Sequence, residues 1–397
     1  MAPAPPPTPP KADGRNPALR RSLLGVAGKL YPSPRRPITP VRSLLLVRPD
    51  HLGDILFLTP ALHELRTALP AARITVLTGP WGLAAIRDNP DLNGAQTCPF
   101  PGFDRQPKAN LLAPYLLLFE QARILRGRGY DTAVILRFDH WWGAWLAAAA
   151  GIPRRIGYDL PETRPFLTEA LPYRDEPHEV EQNSTLLAPL VGPAATRELG
   201  PTRFVVTEAD QAWADGWLRS CGLKASAPLV AIHPGAGAAV KQWPAGAWAQ
   251  VADALAENHH AQILLTGASA ERTLTRTISS AMAHPVFDAA GETTLGQLAA
   301  LLTRCTLVMG SDSGPLHLAV AVGIPTIHLY GPVAPAKFGP WGDPARHVVL
   351  ATSWPCAPCN RLDWTPDVLG QHRCMADIAP EQVLGIAKRL LQERRSH

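Results

Sequence analysis

The chain has 397 residues, which is long for one compact core and comfortable for two domains, because a single core stops growing at roughly 250 to 300 residues. Its composition, 46% hydrophobic and 18% charged, is typical of a soluble globular protein, and no apolar run reaches the roughly 20 residues that span a bilayer. The net charge of +5 is mild and gathers between Lys11 and Arg42, where Asp13 is the only acid. This favours an anionic surface as a neighbour over sequence-specific recognition of nucleic acid.

The six cysteines are too few and too scattered for a disulfide scaffold, and the first residues, "MAPAPPPTPPKADGR", lack the apolar core of a secretory signal. We therefore expect a protein of the reducing cytoplasm. The missing signal also argues against a periplasmic solute-binding protein, another class that pairs two α/β domains around a cleft.

Residues 1 to 40 are rich in proline and basic side chains, a composition that cannot offset its ordering entropy by burial, so we expect mostly disorder there. Within "NPALRRSLLGVAGKLY", apolar and basic residues alternate at helical spacing, which is typical of an interfacial helix on anionic lipid. The residues concerned are Leu19, Leu23, Val26 and Leu30, with Arg20, Arg21 and Lys29 among them. A solubilising tail or a helix packed on the domain is the alternative interpretation.

From residue 41 onward the pattern changes to strands that alternate with helices. "SLLLV" predicts a buried strand, and "RITVLTG" and "DTAVILR" predict two more. A single helix is predicted after the first strand, with one apolar face made of Ile55, Leu58, Leu62, Leu65 and Leu69. This order is typical of βαβ units, so residues 41–205 are predicted to form a Rossmann-like domain around a parallel sheet.

A second alternating series follows the polar segment "TEADQAWADGWLRSCGLKASAP". It contains strands at "LVAIHPG", "AQILLTG", "TLVMGSD" and "IPTIHLYG", and helices at "AGAWAQVADALAEN" and "LGQLAALLTRC". Residues 206–397 are therefore predicted to form a second Rossmann-like domain, with the boundary near residues 200–226. Because ligands sit at the carboxyl ends of parallel strands, we expect the two sheets to face each other across a ligand-binding cleft.

Asp54 follows a glycine in "RPDHLGDILFLTPAL", where the first strand gives way to a helix. A carboxylate at a helix start accepts backbone N–H bonds, so an N-cap is one interpretation. The other is a general base that takes a proton from an attacking hydroxyl. A helix N-terminus makes a carboxylate a weaker base, so burial would have to offset that effect.

The segment "HPGAGAAVKQWP" follows a strand of the second domain. Its glycine turn at Gly235 lets backbone approach a phosphate, and Lys241 supplies a positive charge. The segment matches neither the Walker motif nor the dinucleotide fingerprint. In "TGASAER", another strand end, Glu271 is predicted either to accept hydrogen bonds from ribose hydroxyls or to cap the following helix.

The segment "MGSDSGPLHLAVAVGIPTIHLYGP" predicts an anion site at a helix N-terminus. Asp312 and Ser313 lie at a strand end, Gly314 permits close approach, and a proline follows in the first helical turn. His317 lies in that first turn and points either at a ligand or into the core, the core being usual for a lone helical histidine.

Four of these segments, in this order, resemble those of glycosyltransferase family 9, the ADP-heptose:lipopolysaccharide heptosyltransferases. They are "RPDHLGDILFLTPAL", "HPGAG…KQWP", "SDSGPLHLAVAVGIPTIHLYGP" and "AKFGPWGD", within residues 43–390. The resemblance implies a GT-B fold, in which two Rossmann-like domains face each other across a cleft. It also implies inverting transfer of a sugar, heptose from ADP-heptose, to a lipopolysaccharide core or a related glycolipid, with no cofactor or catalytic metal.

The same resemblance assigns roles to residues. Asp54 would be the general base, while Lys241 and the helix opening at Ser313 and Gly314 would neutralise the leaving diphosphate. The donor-binding residues would be Gly235, Lys241, Glu271, Asp312, Ser313, Gly314 and His317.

The acceptor side is predicted to belong to the first domain. "FDHWWGAW" and "RRIGYD" offer aromatic and cationic groups suited to sugar rings and acidic groups, although Trp141 and Trp142 are as readily explained by core packing. The predicted acceptor residues are Arg48, His51, Arg154 and Arg155. "HEVEQN" also resembles a family segment and receives no role.

Four residues near the C-terminus read as C-x2-C…H-x-C, a donor set able to bind zinc tetrahedrally. They are Cys356, Cys359, His372 and Cys374, and a related cysteine cluster occurs in some members of the family. A structural zinc is one interpretation, and thiols in a loop that bind no metal are the alternative.

The predicted partners are a nucleotide-sugar donor, a glycolipid acceptor and the anionic inner-membrane surface, with no nucleic acid. The predicted location is cytoplasmic, peripheral on the cytoplasmic face of that membrane. Two other hypotheses share these residues: a transferase that uses another nucleotide sugar in surface-polysaccharide synthesis, and a non-catalytic nucleotide-binding assembly factor.

Overall fold

The computed structural model describes residues 17–32, 40–103, 110, 112–192, 199–224, 226–365 and 367–393. Its contacts divide the chain into two units, unit 1 (Met1–His51 and Pro60–Leu199) and unit 2 (Leu52–Thr59 and Gly200–His397). The predicted domain limits at 40/41 and 205/206 rest on sequence pattern and stay a prediction. The disorder predicted for residues 1–16 and 33–39 lies outside the described residues.

The sheet of unit 1 has six parallel strands in the order β3-β2-β1-β4-β5-β6. They are β1 (Ser43–Arg48), β2 (Arg73–Thr78), β3 (Gly94–Thr97), β4 (Thr132–Ile135), β5 (Arg154–Tyr158) and β6 (Glu169–Leu171). The helices in this part of the chain are α1 (Pro17–Gly28), α2 (Leu52–Leu56), α3 (Thr59–Ala68), α4 (Leu83–Ile86), α5 (Ala113–Arg126), α6 (Trp141–Ala149) and α7 (Glu179–Val191). Leu46 of the fully buried β1 pairs with Val76 on one side and Val134 on the other.

The sheet of unit 2 is also parallel, in the order β12-β11-β10-β7-β8-β9. Its strands are β7 (Leu229–His233), β8 (Gln262–Leu265), β9 (Val286–Asp288), β10 (Leu307–Ser311), β11 (Thr326–Tyr330) and β12 (His347–Ala351). Its helices are α8 (Glu208–Ser220), α9 (Ala245–His259), α10 (Arg272–Ala281), α11 (Leu295–Thr303), α12 (Gly314–Ala321), α13 (Pro335–Phe338) and α14 (Pro380–Glu393). Counted within each unit, both sheets have the order 3-2-1-4-5-6 of doubly wound folds.

The central strands of both sheets are apolar along nearly their whole length because helices cover both faces. Trp243 and Trp248 are fully buried in one hydrophobic cluster of unit 2. Their ring centroids are 4.7 Å apart. These features confirm the predicted α/β class with two parallel sheets. No helix among the described residues is long and apolar enough to cross a membrane.

The single helix predicted from Ile55 to Leu69 is wrong, because α2 ends at Leu56 and α3 begins at Thr59. Pro60 has no amide hydrogen to donate to the carbonyl of Leu56 in a continuous helix. The hydroxyl of Thr59 donates to that carbonyl instead, at 2.7 Å. The break also separates the units, since α2 groups with unit 2 and most of α3 with unit 1.

Candidate functional site

The candidate site of unit 2 lies where β7 and β10 are neighbours, the point at which the strand order reverses and where such sheets bind ligands. Lys241 and Asp312 follow these two strands, and His317 lies in the first turn of α12. The Lys241 Nζ is 2.6 Å from Oδ2 of Asp312, and the His317 Nε2 is 3.7 Å from Oδ1. The structure thus brings three of the predicted residues into one cluster, in which Asp312 and His317 are buried and Lys241 is partly buried.

The environment of Asp312 decides its charge. Burial by itself would raise the pKa of this carboxyl, but the neighbouring His317 and the charge of Lys241 outweigh that effect and hold the pKa below its ordinary value. Asp312 is therefore an anion at neutral pH, and it fixes the position of the Lys241 ammonium.

Several buried polar atoms near Asp312 make no hydrogen bond within the described part of the chain. They are Oγ of Ser311, Oγ of Ser313 and Nδ1 of His317. Ser313 precedes α12, but its side chain does not cap the helix. Buried polar atoms are nearly always paired, so these atoms and the helix N-terminus are suited to binding an anionic or hydroxyl-rich ligand.

Helix α2 packs directly on α12. A Cβ added to Gly53 would lie 3.0 Å from Cδ2 of His317, and one added to Gly314 would lie 2.9 Å from Cβ of Leu52. The ring of Phe57 meets His317 edge-on, with centroids 4.7 Å apart. Each helix thus contributes one glycine that lets the other helix approach.

Asp54 is the third residue of α2 and is half-buried. It therefore lies in the first helical turn and is not the N-cap residue itself, since the helix begins at Leu52. A carboxylate in this turn is still favoured by the helix dipole, and the role of Asp54 stays a prediction. Gly53 is itself helical, and its lack of a side chain allows the close contact with His317.

Gly235 and Glu271 are brought together beside β7. The carboxylate of Glu271 occupies the space where a Cβ of Gly235 would lie, and its Oε2 accepts a hydrogen bond of 2.7 Å from the amide of Ala268. The same oxygen is 3.9 Å from Nε2 of His233, whose pKa is lowered by burial against the opposing charge of Glu271. Glu271 thus caps the short turn Ser269–Glu271 to which it belongs, whereas its side chain makes no capping hydrogen bond at α10, the helix that follows. Its contact with a ribose stays a prediction.

Of the predicted acceptor residues at the end of β1, Arg48 is buried and His51 exposed. Arg48 binds Oδ2 of Asp50 through Nε and Oε2 of Glu179 through Nη2, both at 2.9 Å. These contacts commit the guanidinium to the interior of unit 1 and do not favour a role in acceptor binding. His51 lies against Trp81, with ring centroids 5.6 Å apart.

The other two predicted acceptor residues, on β5, are also engaged. Arg154 forms a two-pronged pair with Glu169 at 2.7 and 3.0 Å. Arg155 is buried and donates to the carbonyls of Phe166 and Ile152, each at 2.6 Å, and burial lowers its pKa. Their contacts are structural within unit 1, contrary to the expectation of groups presented to a ligand.

The sequence analysis missed a cluster at the end of β1 and β4. Asp50 is buried between Arg48 and Arg137, and its pKa is lowered because these charges outweigh the effect of burial. His140, also buried, has neither ring nitrogen hydrogen-bonded within the described residues, and burial lowers its pKa to about 4. The sequence did contain a signal for this cluster, because Asp50 in "VRPD" and Arg137 in "ILRFD" each come just after a strand.

Trp142 belongs to the core, as the alternative interpretation predicted. It is 3% exposed, and its indole nitrogen donates to the carbonyl of Pro114 at 2.9 Å. Trp141 is partly buried against the same hydrophobic cluster.

The structure does not assemble the predicted zinc ligands. Cys356 and Cys359 are exposed, Cys374 lies in the hydrophobic core, and the His372 ring lies against Trp364 with centroids 3.6 Å apart. Within the described ranges, no group of three or more His, Cys, Asp or Glu could hold a metal ion. Burial raises the pKa of the Cys374 thiol, which disfavours the thiolate that a metal needs.

The chain is similar in sequence and in fold to known proteins. The model of glycosyltransferase family 9 (heptosyltransferase) matches residues 118–364. Lipopolysaccharide heptosyltransferase 2 of Salmonella typhimurium is 26% identical over 362 residues, which cover 88% of this chain and 99% of that protein. The structure of a family 9 glycosyltransferase from Veillonella parvula has a TM-score of 0.75 at 25% identity, covering 89% of this chain and 97% of the other. The E. coli ADP-heptose lps heptosyltransferase II has a TM-score of 0.70 at 23% identity, covering 89% and 99%.

The family match spans more than half of the chain and includes Lys241, Asp312 and His317. The structural similarity to the E. coli enzyme extends over both six-stranded sheets and confirms the predicted GT-B class with two Rossmann-like domains. The sequence match and the fold therefore agree. The chain belongs to glycosyltransferase family 9, and it is a glycosyltransferase.

Proposed function

We propose that the chain moves heptose from ADP-heptose to a lipopolysaccharide core or a related glycolipid, with inversion and without a catalytic metal. Asp54 takes the proton of the acceptor hydroxyl, and that oxygen bonds to the anomeric carbon. The bond from this carbon to the diphosphate breaks, and ADP leaves with the bonding electrons. A single displacement inverts the configuration.

The observation that carries the proposal is the packing of α2 on α12. Gly53, the residue before Asp54, contacts His317, and His317 in turn is paired with Asp312. The helix that carries the proposed base is therefore part of the same packed unit as the proposed donor site. This arrangement supports a role for Asp54 in chemistry at the donor sugar.

Two carboxylates compete for the role of base in "RPDHLGD". Asp50 is buried between two arginines, and its lowered pKa makes it a poor proton acceptor. Asp54 is half-buried in the first turn of α2, which belongs to unit 2. The contrast favours Asp54 over its neighbour.

The charge that develops on the leaving diphosphate needs positive partners. An ammonium has three N–H donors, and Asp312 occupies one donor direction of Lys241, so the others remain for phosphate oxygens. The N-terminus of α12 and the hydroxyl of Ser313 supply further donors. Together they support stabilisation of the departing ADP by protein groups, as the metal-free mechanism requires.

The names of relatives support the choice of substrates. The E. coli protein of similar fold is an ADP-heptose lps heptosyltransferase, and the Salmonella relative is a lipopolysaccharide heptosyltransferase. We extend to this chain the ADP-heptose donor, the glycolipid acceptor and a peripheral position on the cytoplasmic face of an anionic membrane.

Transfer assays with Asp54→Asn test the proposed base. The change removes the base and keeps the size of the side chain, so kcat is expected to fall about 100- to 10,000-fold while stability changes by less than about 1 kcal/mol. The matched control is Glu208→Gln, which removes an exposed acid from the first turn of α8 and leaves kcat unchanged. Wild-type rates for Asp54→Asn would remove the assignment of the base.

Titration of ADP, UDP and GDP into the wild type tests which nucleotide the donor sugar carries. Addition of EDTA to the transfer assay tests whether the reaction needs a metal ion. Selective ADP binding and full activity in EDTA are expected. Preference for another nucleotide would move the chain to the transferases of surface-polysaccharide synthesis. Binding of ADP without any transfer would instead favour the non-catalytic assembly factor.

A further inference from the structure

We propose that helices α1 and α5 of unit 1 form a docking surface for an anionic lipid bilayer, which we name the α1–α5 face. Its apolar residues are Leu19, Leu23, Val26, Leu30, Leu112, Tyr115, Leu116 and Phe119. The inference rests on the proposed function in one respect, since a glycolipid acceptor places the enzyme at a membrane. It goes further by identifying which side of unit 1 makes the contact.

Exposed apolar side chains are concentrated on this face. Among the described residues, nine of the eleven exposed large hydrophobic side chains lie on α1, on α5 or immediately beside them. The most exposed are Leu30 at 74% and Leu116 at 68%, followed by Val26 and Leu112 at 64% each. Scattered exposed apolar residues need no explanation, but a concentration of this kind marks an interaction surface.

On α1 and α5, the exposed apolar residues lie on the outer side of each helix, and the opposite side packs against the core of unit 1. On α1, Leu24 is buried in the core, and the end of the helix at Gly28 is so close to Pro165 that an added Cβ would meet the proline carbonyl carbon at 2.9 Å. On α5, Leu118 and Leu125 are buried in the same cluster as Leu24. Folding of unit 1 therefore leaves the outer stripes uncovered.

An aromatic group links the two helices. The ring of Trp145 lies 5.8 Å from that of Tyr115 and 6.2 Å from that of Phe119, both on α5. Its indole nitrogen donates to the hydroxyl of Tyr31, just after α1, at 3.4 Å. Trp145 therefore lies beside both α5 and the end of α1, and Trp and Tyr are the side chains favoured at the boundary between lipid and water.

The charge of the α1–α5 face selects its partner. Residues 17–32 and 112–129 contain six basic side chains and a single acidic one, Glu120. The basic residues are Arg20, Arg21, Lys29, Arg123, Arg126 and Arg128. Within the described contacts, Arg20 and Arg21 share one carboxylate, that of Glu162.

Such a surface is attracted to anionic headgroups, at about 1 kcal/mol for each basic residue near the membrane. A symmetric dimer through the same face would bring like charges together, which makes a second copy the less favourable occupant. An amphipathic, cationic face of this kind lies in the headgroup region and does not span the bilayer.

Cosedimentation with phosphatidylcholine vesicles, with and without phosphatidylglycerol, tests the proposal. The full-length wild type is expected to bind the anionic vesicles, with binding weakened by salt. The double variant Leu23→Glu/Leu116→Glu is expected to bind at least about tenfold more weakly, because two charges would enter the headgroup region. The matched control Val205→Glu/Leu362→Glu alters two exposed apolar residues of unit 2 and is expected to bind as the wild type does.

Transfer to a delipidated, soluble acceptor separates this proposal from the proposed function. The double variant is expected to retain wild-type transfer and ADP affinity, since its substitutions lie on the outer side of unit 1. Equal vesicle binding by the wild type and the double variant would overturn the docking surface while leaving transfer intact. A wild-type dimer in sedimentation that Leu116→Glu dissociates would also overturn it, by making a second copy the occupant.

Discussion

Each unit buries an aspartate between two basic side chains at the point where its strand order reverses, yet the two clusters are built from different basic side chains. In unit 1, Asp50 is held by Arg48 and Arg137. In unit 2, Asp312 is held by Lys241 and His317. Since the sheets have the same strand order, the comparison isolates the effect of the side chains.

The difference lies in what the cations do besides pairing. Arg48 also binds Glu179 at 2.9 Å and the carbonyl of Leu136 at 2.9 Å, and it is 2% exposed. Lys241 has a single ion pair, with Asp312, among the described contacts, and its side chain is 13% exposed. A guanidinium with several fixed partners cross-links the fold, whereas an ammonium with one partner keeps donors for a ligand. We infer that the unit 1 cluster supports structure and the unit 2 cluster supports binding.

The largest expected effect is on stability, and it comes from replacing Arg48, with Lys241 replaced for comparison. Arg48→Met leaves the carboxylates of Asp50 and Glu179 buried with less positive charge, so the free energy of unfolding is expected to fall by about 3 to 5 kcal/mol. Lys241→Ala leaves Asp312 with its His317 contact and is expected to cost about 1 to 2 kcal/mol. Urea denaturation measures both.

The same two variants are expected to rank in the opposite order in ADP affinity. Lys241→Ala should weaken binding about tenfold or more, and Arg48→Met should stay within about twofold when measured below its unfolding transition. Calorimetric titration provides both constants. An Arg48→Met protein that is stable but fails to bind ADP would reverse the inferred roles.

Much of the fold was predictable because its central strands are continuous apolar runs. The segments "SLLLV", "LVAIHPG" and "TLVMGSD" became β1, β7 and β10. Five strands were not predicted: β3, β5, β6, β9 and β12. Of these, β3, β6 and β9 have only three or four residues each and no buried side chain, which leaves little pattern to detect. Pro60 indicates the break between α2 and α3. The helical spacing of apolar residues from Ile55 to Leu69 favoured a single helix instead.

The candidate site was predictable to the extent that its residues follow strand ends. Lys241, Asp312 and His317 were named from sequence, and the structure brings them together, whereas their roles stay a prediction. Partners far along the chain could not be predicted: Arg48 and Glu179, for example, meet across 131 residues. For that reason the arginines of unit 1 were interpreted as ligand-binding groups when their partners are internal.

Buried histidines make the stability of the two units depend on pH. Burial lowers the pKa of His140 to about 4 from its ordinary 6.5, against the opposing charge of Asp50, so the unfolded state binds the proton more tightly. The stability that His140 contributes is complete above about pH 6.5 and is lost as the pH falls toward 4. At about pH 5 the expected loss is about 2 kcal/mol.

Urea denaturation of the wild type and His140→Phe, between about pH 7.5 and pH 5, measures that contribution. The variant keeps a ring against Phe100 and Trp142 but cannot titrate, so its stability should depend less on pH by about 2 kcal/mol. His347 in unit 2, whose pKa burial also lowers to about 4, should leave a residual dependence of the same sign. An unchanged slope in the variant would show that His140 is not the buried neutral group described.

The smallest expected effects concern the two glycines at the contact of α2 and α12, and they test whether unit 2 positions Asp54. An alanine at Gly53 would press on the His317 ring, and one at Gly314 would press on Leu52, so each is expected to lower kcat/KM about tenfold. The matched control is Gly216→Ala in α8, where an added Cβ meets nothing within 4 Å and stability should rise by about 0.5 to 1 kcal/mol. Because ADP binds without the base, ADP affinity should change less than kcat/KM in the Gly53→Ala variant. Full transfer activity in both alanine variants would mean that the close packing of the two helices holds the fold together without positioning the base.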